Sequence, residues 1–388
     1  MAKTVYFESV GRIHPTQLEI IDYPPNGFSF INTNRLPRTL SQDIVYYRSR
    51  RIFERVLPLN LVGGCLTEIF DGMHHSDLIY SYNHPVFARR PWVVFVEWVH
   101  VLVGRDIRHF SKWRPIVQRQ LASENCKGII TWSQLAKQSI LLNLNCSGFL
   151  HKIRVLPLSV HRKNFSKLYD ANRVRLLFVG SPSMREDFYH KGGLDVLRAF
   201  RDIVQSHPNV ELTMRANVPR EVQQSYQNIP NLKIIDQVLS RDDLDELYRS
   251  ADIFVQPTHD TPFGAFLEAM SYELPVITRD AFVNSELVED GVTGLIVQGS
   301  FNTRYFTDFG KLRLIPLGAT PKRDEFLAAI HRYDPVFVDR LKRAIVTLVE
   351  NPQLRKKIGR RGRFEVEEGR FSIARRNEIL QEVFRDAI

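Results

Sequence analysis

The feature that most limits what this chain can fold into is the order in which its apolar runs and helical patterns alternate. β-rich runs at Asp77–Tyr82, Trp92–Val96, Gly128–Thr131 and Ile153–Leu158 are interleaved, in their later part, with helical patterns at Pro115–Ala122 and Gln134–Leu142. The alternation restarts with strands predicted at Arg175–Val179, Val210–Arg215, Asn231–Ile235, Asp252–Gln256 and Pro275–Thr278. Helices are predicted between them at Leu194–Val204, Asp242–Ser250 and Ala265–Ser271. Strands alternating with helices make parallel, doubly wound sheets. Runs such as Leu176-Leu177-Phe178-Val179 and Ile253-Phe254-Val255 are apolar on both faces, as strands covered by helices on both sides should be. A polar, basic stretch, His161-Arg162-Lys163-Asn164-Phe165-Ser166-Lys167, separates the two series. With 388 residues the chain is too long for one ordinary core. A boundary near 161–173 between two Rossmann-like halves, with a cleft between them, accommodates both.

Composition removes several classes. The formal net charge of +10 favours anionic partners, phosphorylated ligands among them, or simply a soluble basic surface. Cys65, Cys126 and Cys146 are isolated, so neither a zinc site nor a disulfide framework is predicted, and a reducing, cytoplasmic setting is expected. The first residues lack the apolar stretch of a signal peptide, and the run Trp92–Val103 is too short for a membrane span. Tyr46–Phe53 and Arg108–Arg114 combine basic and aromatic residues. They suit peripheral contact with an anionic membrane at its inner face, and equally a solvated or acceptor-facing surface. No Walker loop, G-x-G-x-x-G or catalytic triad spacing is present, and a nucleic-acid role is not expected. The last helix is amphipathic through Ile379, Leu380, Val383, Phe384, Ala387 and Ile388.

The richest motif is Pro257–Met270. It is a loop off a strand end that enters a helix, whose first free N–H groups form an anion site suited to a diphosphate. Gly264 permits close backbone approach, Glu268 lies one turn into the helix, and Asp260 sits in the loop. Phe263-Gly264, Leu267-Glu268-Ala269-Met270 and Leu274-Pro275-Val276-Ile277 resemble the donor-site signature of retaining glycosyltransferase family 4, whose fold is GT-B. Phe178-Val179-Gly180 with Lys191-Gly192-Gly193 is similar to that family's first C-domain strand and phosphate loop. Leu247–Asp252, the turn Glu286–Leu295 and Phe371-Ser372 follow in the family's order.

The resemblance implies an α/β GT-B chain. An N-terminal Rossmann-like domain, 1–165, is on the acceptor side, a C-terminal one, 174–365, takes the donor, and the helix 366–388 crosses back. It implies transfer of a sugar from a UDP-, GDP- or ADP-linked donor to a glycan, lipid or small-molecule hydroxyl, with retention and with neither metal nor cofactor. Glu268 would hold the ribose. The N–H groups of Phe263, Gly264 and Ala265 would face the diphosphate or sugar, and Gly180 and Lys191 would lie at the phosphates. The family's arginine after the first strand is replaced by Ser181, for which Arg185 is the candidate substitute. The family's first glutamate falls on Asp260 by spacing and on Thr261 by distance from Phe263. At the end of Trp92–Val96, Glu97 is the positional match and His100 the chemical match for the group facing the reacting centre. Asp243-Leu244-Asp245 reads as a helix start rather than a metal motif, and His74-His75 lacks further ligands. The segment Gly299–Arg332 is a longer insertion, read as a surface hairpin. A GT-B epimerase or phosphorylase, and a nucleotide-sugar-binding protein without catalysis, fit the same residues.

Overall fold

A computed structural model describes residues 2–9, 13–33, 50, 53–54, 57–72, 75–104, 106–170, 172–181, 185–262, 264–300, 306–316, 320 and 323–388. The chain forms two compact units. Unit 1 comprises Met1–Ser159, Phe306–Arg323 and Ile373–Ile388, and unit 2 comprises Val160–Tyr305 and Asp324–Ser372.

Unit 1 is built on strands β1 (Lys3–Ser9), β2 (Phe28–Ile31), β3 (Leu78–Tyr82), β4 (Trp92–Val96), β5 (Cys126–Thr131) and β6 (Ile153–Val155). They pair in parallel in the order β2-β1-β3-β4-β5-β6. Every residue of β4 is buried, because helices cover both faces of the sheet. Phe110, Val117 and Leu121 of helix Ile107–Ala122 pack into this core, and Phe384 of helix Ile373–Ala387 stacks edge-on against Phe28 and Tyr80 elsewhere in the unit. Arg376, almost fully buried, anchors that last helix by donating to Ser159 Oγ at 2.9 Å.

The helix predicted to open at Pro115 begins eight residues earlier, at Ile107. Asp106 caps it by accepting from the Arg108 N–H at 3.0 Å, and its apolar face runs unbroken past Pro115. Pro115 is on the exposed side, where the carbonyl it leaves unbonded reaches water. The run predicted as strand to Leu158 pairs only as far as Val155.

Unit 2 repeats the architecture with β7 (Val174–Val179), β8 (Val210–Arg215), β9 (Leu232–Ile235), β10 (Ile253–Val255), β11 (Val276–Arg279) and β12 (Gly294–Val297). Their order is β12-β11-β10-β7-β8-β9, all parallel, with a core that joins Leu176, Phe178, Phe200, Met214, Phe337 and Leu341. The chain direction across the sheet reverses between β7 and β10. At such a switch point the loops leaving adjacent strands diverge to opposite faces and open a crevice beyond the carboxyl ends.

The insertion contains an antiparallel hairpin, β13 (Phe306–Phe309) and β14 (Leu312–Pro316). Placed by the sequence reading within 174–365, it belongs instead to unit 1. Leu312 and Ile315 enter that unit's core, and Asn143 clamps the Arg313 backbone, accepting its N–H at 2.8 Å and donating to its carbonyl at 2.7 Å.

Candidate functional site

The crevice of unit 2 is bounded by the segment after β7 and the loop after β10. Gly180, directly after β7, donates its N–H to the Arg215 carbonyl at 2.8 Å and accepts from the Arg215 guanidinium at 2.9 Å. Both of its backbone groups are therefore engaged by the end of β8, so Gly180 shapes the crevice rather than offering a free amide. Helix Arg185–His190 follows; the Arg185 side chain lies outside the described residues. Lys191 then turns inward, is buried, and donates to the Thr261 carbonyl. Gly192 has φ +76°, and a Cβ there would stand 2.5 Å from the Pro257 carbonyl oxygen, so only glycine lets the two loops meet.

The same junction carries further bonds. His190 O accepts the His259 N–H at 2.8 Å, and Asn284 Nδ2 donates to Thr258 O at 3.0 Å. Asp260 donates its N–H to Thr258 Oγ1 at 3.1 Å, while its carboxylate accepts from the Thr261 N–H. The loop acid thus organises its own turn, and Thr261 contributes its carbonyl to Lys191. Beneath the loop, His259 is buried and held well below the usual imidazole range by that burial, with Arg279 adding to the effect. Asp195 pairs with Arg279 and Arg198, each at 3.3 Å, yet burial still raises its carboxyl. These groups make a polar foundation for the loop.

Phe263 lies outside the described residues. The Ala265 N–H, expected to face a ligand, donates to Pro262 O at 3.0 Å and closes the turn into helix Ala265–Ser271. Gly264 has φ −96° and open space where a Cβ would stand, so nothing in the protein itself requires glycine there.

Glu268 is in different company from what the sequence suggests. Its Oε1 lies 2.9 Å from the Lys163 ammonium and also accepts from the Arg241 guanidinium. Arg241 bridges on to Asp245 at 2.7 Å. The Lys163 ammonium sits 5.4 Å from the centroid of the Tyr272 ring and 3.0 Å from His161 Nε2. Burial pushes the Tyr248 phenol up, and the Glu268 charge adds to the rise. The sequence reading takes Lys163 only as part of the polar, basic boundary stretch and does not single out Arg241. Only the 105-residue gap between Lys163 and Glu268, closed by the fold, reveals the cluster.

In unit 1, Glu97 follows the carboxyl end of β4. The Tyr82 phenol, at the end of β3, donates to its Oε1. The Glu97 N–H donates to Asn83 Oδ1 at 2.8 Å, and its carbonyl accepts from the Trp132 indole at 3.1 Å. His100 lies in the short 3-10 turn Val99–Leu102 and is buried. The tyrosine–glutamate pair is the better formed acidic group at this edge. Of the basic and aromatic surfaces, most of Tyr46–Phe53 falls outside the described residues. In Arg108–Arg114, Phe110 is core, Trp113 is half-buried with the Lys112 ammonium 5.5 Å from its ring centroid, and Arg108 pairs with Asp106. No helix among the described residues is long and apolar enough to cross a membrane.

Among the described residues no group of three or more His, Cys, Asp and Glu side chains is placed to hold a metal ion. Asp243 exchanges bonds with Ser240 at the start of helix Arg241–Ser250, and Asp245 pairs with Arg241. Cys65, Cys126 and Cys146 are free thiols.

Residues 173–307 match the family described as Glycosyl transferases group 1. The structure of HepE from Anabaena with UDP is similar at a TM-score of 0.60 and 18% identity, covering 99% of this chain and 100% of that one. A glycosyltransferase from Rickettsia africae gives 0.60 at 12% identity, covering 100% and 98%. WaaG, a glycosyltransferase involved in lipopolysaccharide biosynthesis, gives 0.57 at 14% identity, covering 97% and 99%. No curated protein matches the chain in sequence. The fold is that of these GT-B structures, two parallel-sheet Rossmann-like α/β domains, and the group 1 match lies almost wholly on unit 2.

Proposed function

We infer that this chain transfers a sugar from a nucleoside-diphosphate sugar to an acceptor hydroxyl, with retention of anomeric configuration. One observation carries the reading: the group 1 match falls on the switch-point loops of unit 2, where Lys191 is buried against the strand-to-helix loop. HepE has been crystallised with UDP and with UDP-glucose, which makes a uridine diphosphate sugar the first donor to test.

In this reaction the bond from the anomeric carbon to the diphosphate breaks, a bond to the acceptor oxygen forms, negative charge builds on the leaving group, and the departing diphosphate takes up the proton that the acceptor hydroxyl loses. A compact ammonium held in a poorly hydrated crevice stabilises that charge without reorganising as it develops. Lys191 supplies it, exchanging the Thr261 carbonyl for a phosphate oxygen. Glu268 accepts from the ribose hydroxyls, and Asp260 sets the turn that presents Thr261. Glu97, buttressed by Tyr82, is the group on the acceptor side, with His100 a structural residue behind it. Retention rests on the family resemblance, and the acceptor is a glycan, lipid or small molecule.

Titration with UDP, GDP and ADP tests the donor site. A nucleotide at about 100 times its Kd should stabilise the protein by about 2.7 kcal/mol. Absence of any shift with all three sinks the reading. With a donor and acceptor in hand, the anomeric configuration of the product decides retention. Peripheral membrane contact through the exposed Lys112 side of helix Ile107–Ala122 is tested by flotation with anionic vesicles. No binding at either low or physiological salt ends it.

A further inference from the structure

We propose that Lys163 is a positioning residue for Glu268 and thereby sets the preference for a ribonucleotide over a 2′-deoxyribonucleotide; this rests on the donor-site reading above. A carboxylate offers about four acceptor positions on two oxygens. In Glu268 both cations, Lys163 and Arg241, converge on Oε1. Among the described residues Oε2 takes no bond, while the side chain keeps 12% of its surface exposed. Anchoring one oxygen removes the free rotation of the carboxylate and fixes the lone pairs of the other, so the ordering cost is met before the ligand arrives.

Lys163 is itself held. Its side chain is 6% exposed, against 51% for Arg241. Its carbonyl accepts from Arg363 at 3.4 Å, and the ring of Phe165, two residues on, packs at 5.2 Å from that of Tyr272. A lysine so placed is not a loose surface charge. It lies on the face of Glu268 that the protein occupies, and leaves the opposite oxygen for a vicinal diol. Removing the ammonium leaves Glu268 to the more exposed Arg241, which also serves Asp245.

The test compares Kd values for whichever of UDP, GDP and ADP binds wild type most tightly and for its 2′-deoxy form. Wild type should favour the ribose form by about ten- to a hundredfold, the worth of one hydrogen bond to a charged group. In Lys163→Met that ratio should collapse to within a few-fold of one, because the deoxy form, which keeps its 3′-hydroxyl, loses less affinity than the ribose form. Equal weakening of both ligands, with the ratio kept, overturns the proposal as a packing effect. Where Lys163→Met does not fold, the double variant Lys163→Met/Glu268→Gln, which removes both charges, is compared with Glu268→Gln alone. Matching affinities and ratios support action through Glu268, and an additional loss in the double variant overturns it. A wild type that binds none of the three nucleotides overturns the donor site itself, a separate result.

Discussion

Replacing Glu268 by alanine should cost unit 2 about 3–5 kcal/mol, the range for breaking a buried ion pair from one side. The Lys163 ammonium lies 2.9 Å from Oε1, and the two side chains are 6% and 12% exposed. At that separation and an effective dielectric of about 20 the attraction is about 6 kcal/mol. Desolvation of both groups offsets much of it, so the intact pair adds little net stability. Deleting the carboxylate leaves the buried ammonium with its desolvation cost and without its partner. Arg241 adds no more than about 1 kcal/mol, because its side chain is half exposed and keeps Asp245. Glu268→Gln retains an acceptor and should cost less. Lys163→Met/Glu268→Gln should recover part of the loss, with a coupling of about 0.5–3 kcal/mol for groups in contact. All four tryptophans, Trp92, Trp98, Trp113 and Trp132, lie in unit 1, so indole fluorescence follows the wrong half. Hydrogen exchange of peptides from β10 and helix Ala265–Ser271, taken across a urea series, reads unit 2 directly. A loss below about 1 kcal/mol in Glu268→Ala, or strict additivity in the double variant, refutes the reasoning.

Gly192→Ala forces a side chain into φ +76° and against Pro257, so it should destabilise unit 2 by at least about 1 kcal/mol and weaken nucleotide binding; unchanged urea midpoint and Kd would exclude the tight loop junction. His84 is fully buried, and burial pulls its pKa down to about 4, with nearby Arg50 acting in the same sense against a bond to the Tyr82 carbonyl. It stays neutral in the fold while the unfolded chain takes up a proton near pH 6.5, so its contribution is intact above that value and is lost as pH falls from about 6.5 to 4. The slope is at most about 1.4 kcal/mol per pH unit, and His84→Gln should flatten the urea midpoint against pH over that window. Turnover should survive EDTA, since Lys191 supplies the countercharge. Activity abolished by EDTA and restored by magnesium or manganese would reopen Asp243 and Asp245 as ligands.

The local elements were legible because their causes are local. Apolar runs such as Trp92–Val96 and Ile253–Val255 announce strands buried on both faces, and Ile379–Ile388 repeats at helical spacing. The motif Pro257–Met270 announced a loop entering a helix, and the structure forms it there. Other features were decided by partners far away in the chain. Helix Ile107–Ala122 runs through Pro115 because Phe110 and Val117 share one buried face, a gain that no reading of proline alone reveals. The hairpin Phe306–Pro316 lies within the sequence of unit 2, yet its Leu312 and Ile315 find their core in unit 1 through Asn143. Gly180 and Ala265 are expected at the ligand, but the Gly180 amide is taken by Arg215 at the end of β8, a tertiary neighbour, and the Ala265 amide by Pro262 within its own turn. Glu268 reads as a free ligand carboxylate until the fold brings Lys163 beside it. Hydrophobic periodicity is written residue by residue along the chain, whereas a charge acquires its partner only when burial removes water and the chain closes on itself.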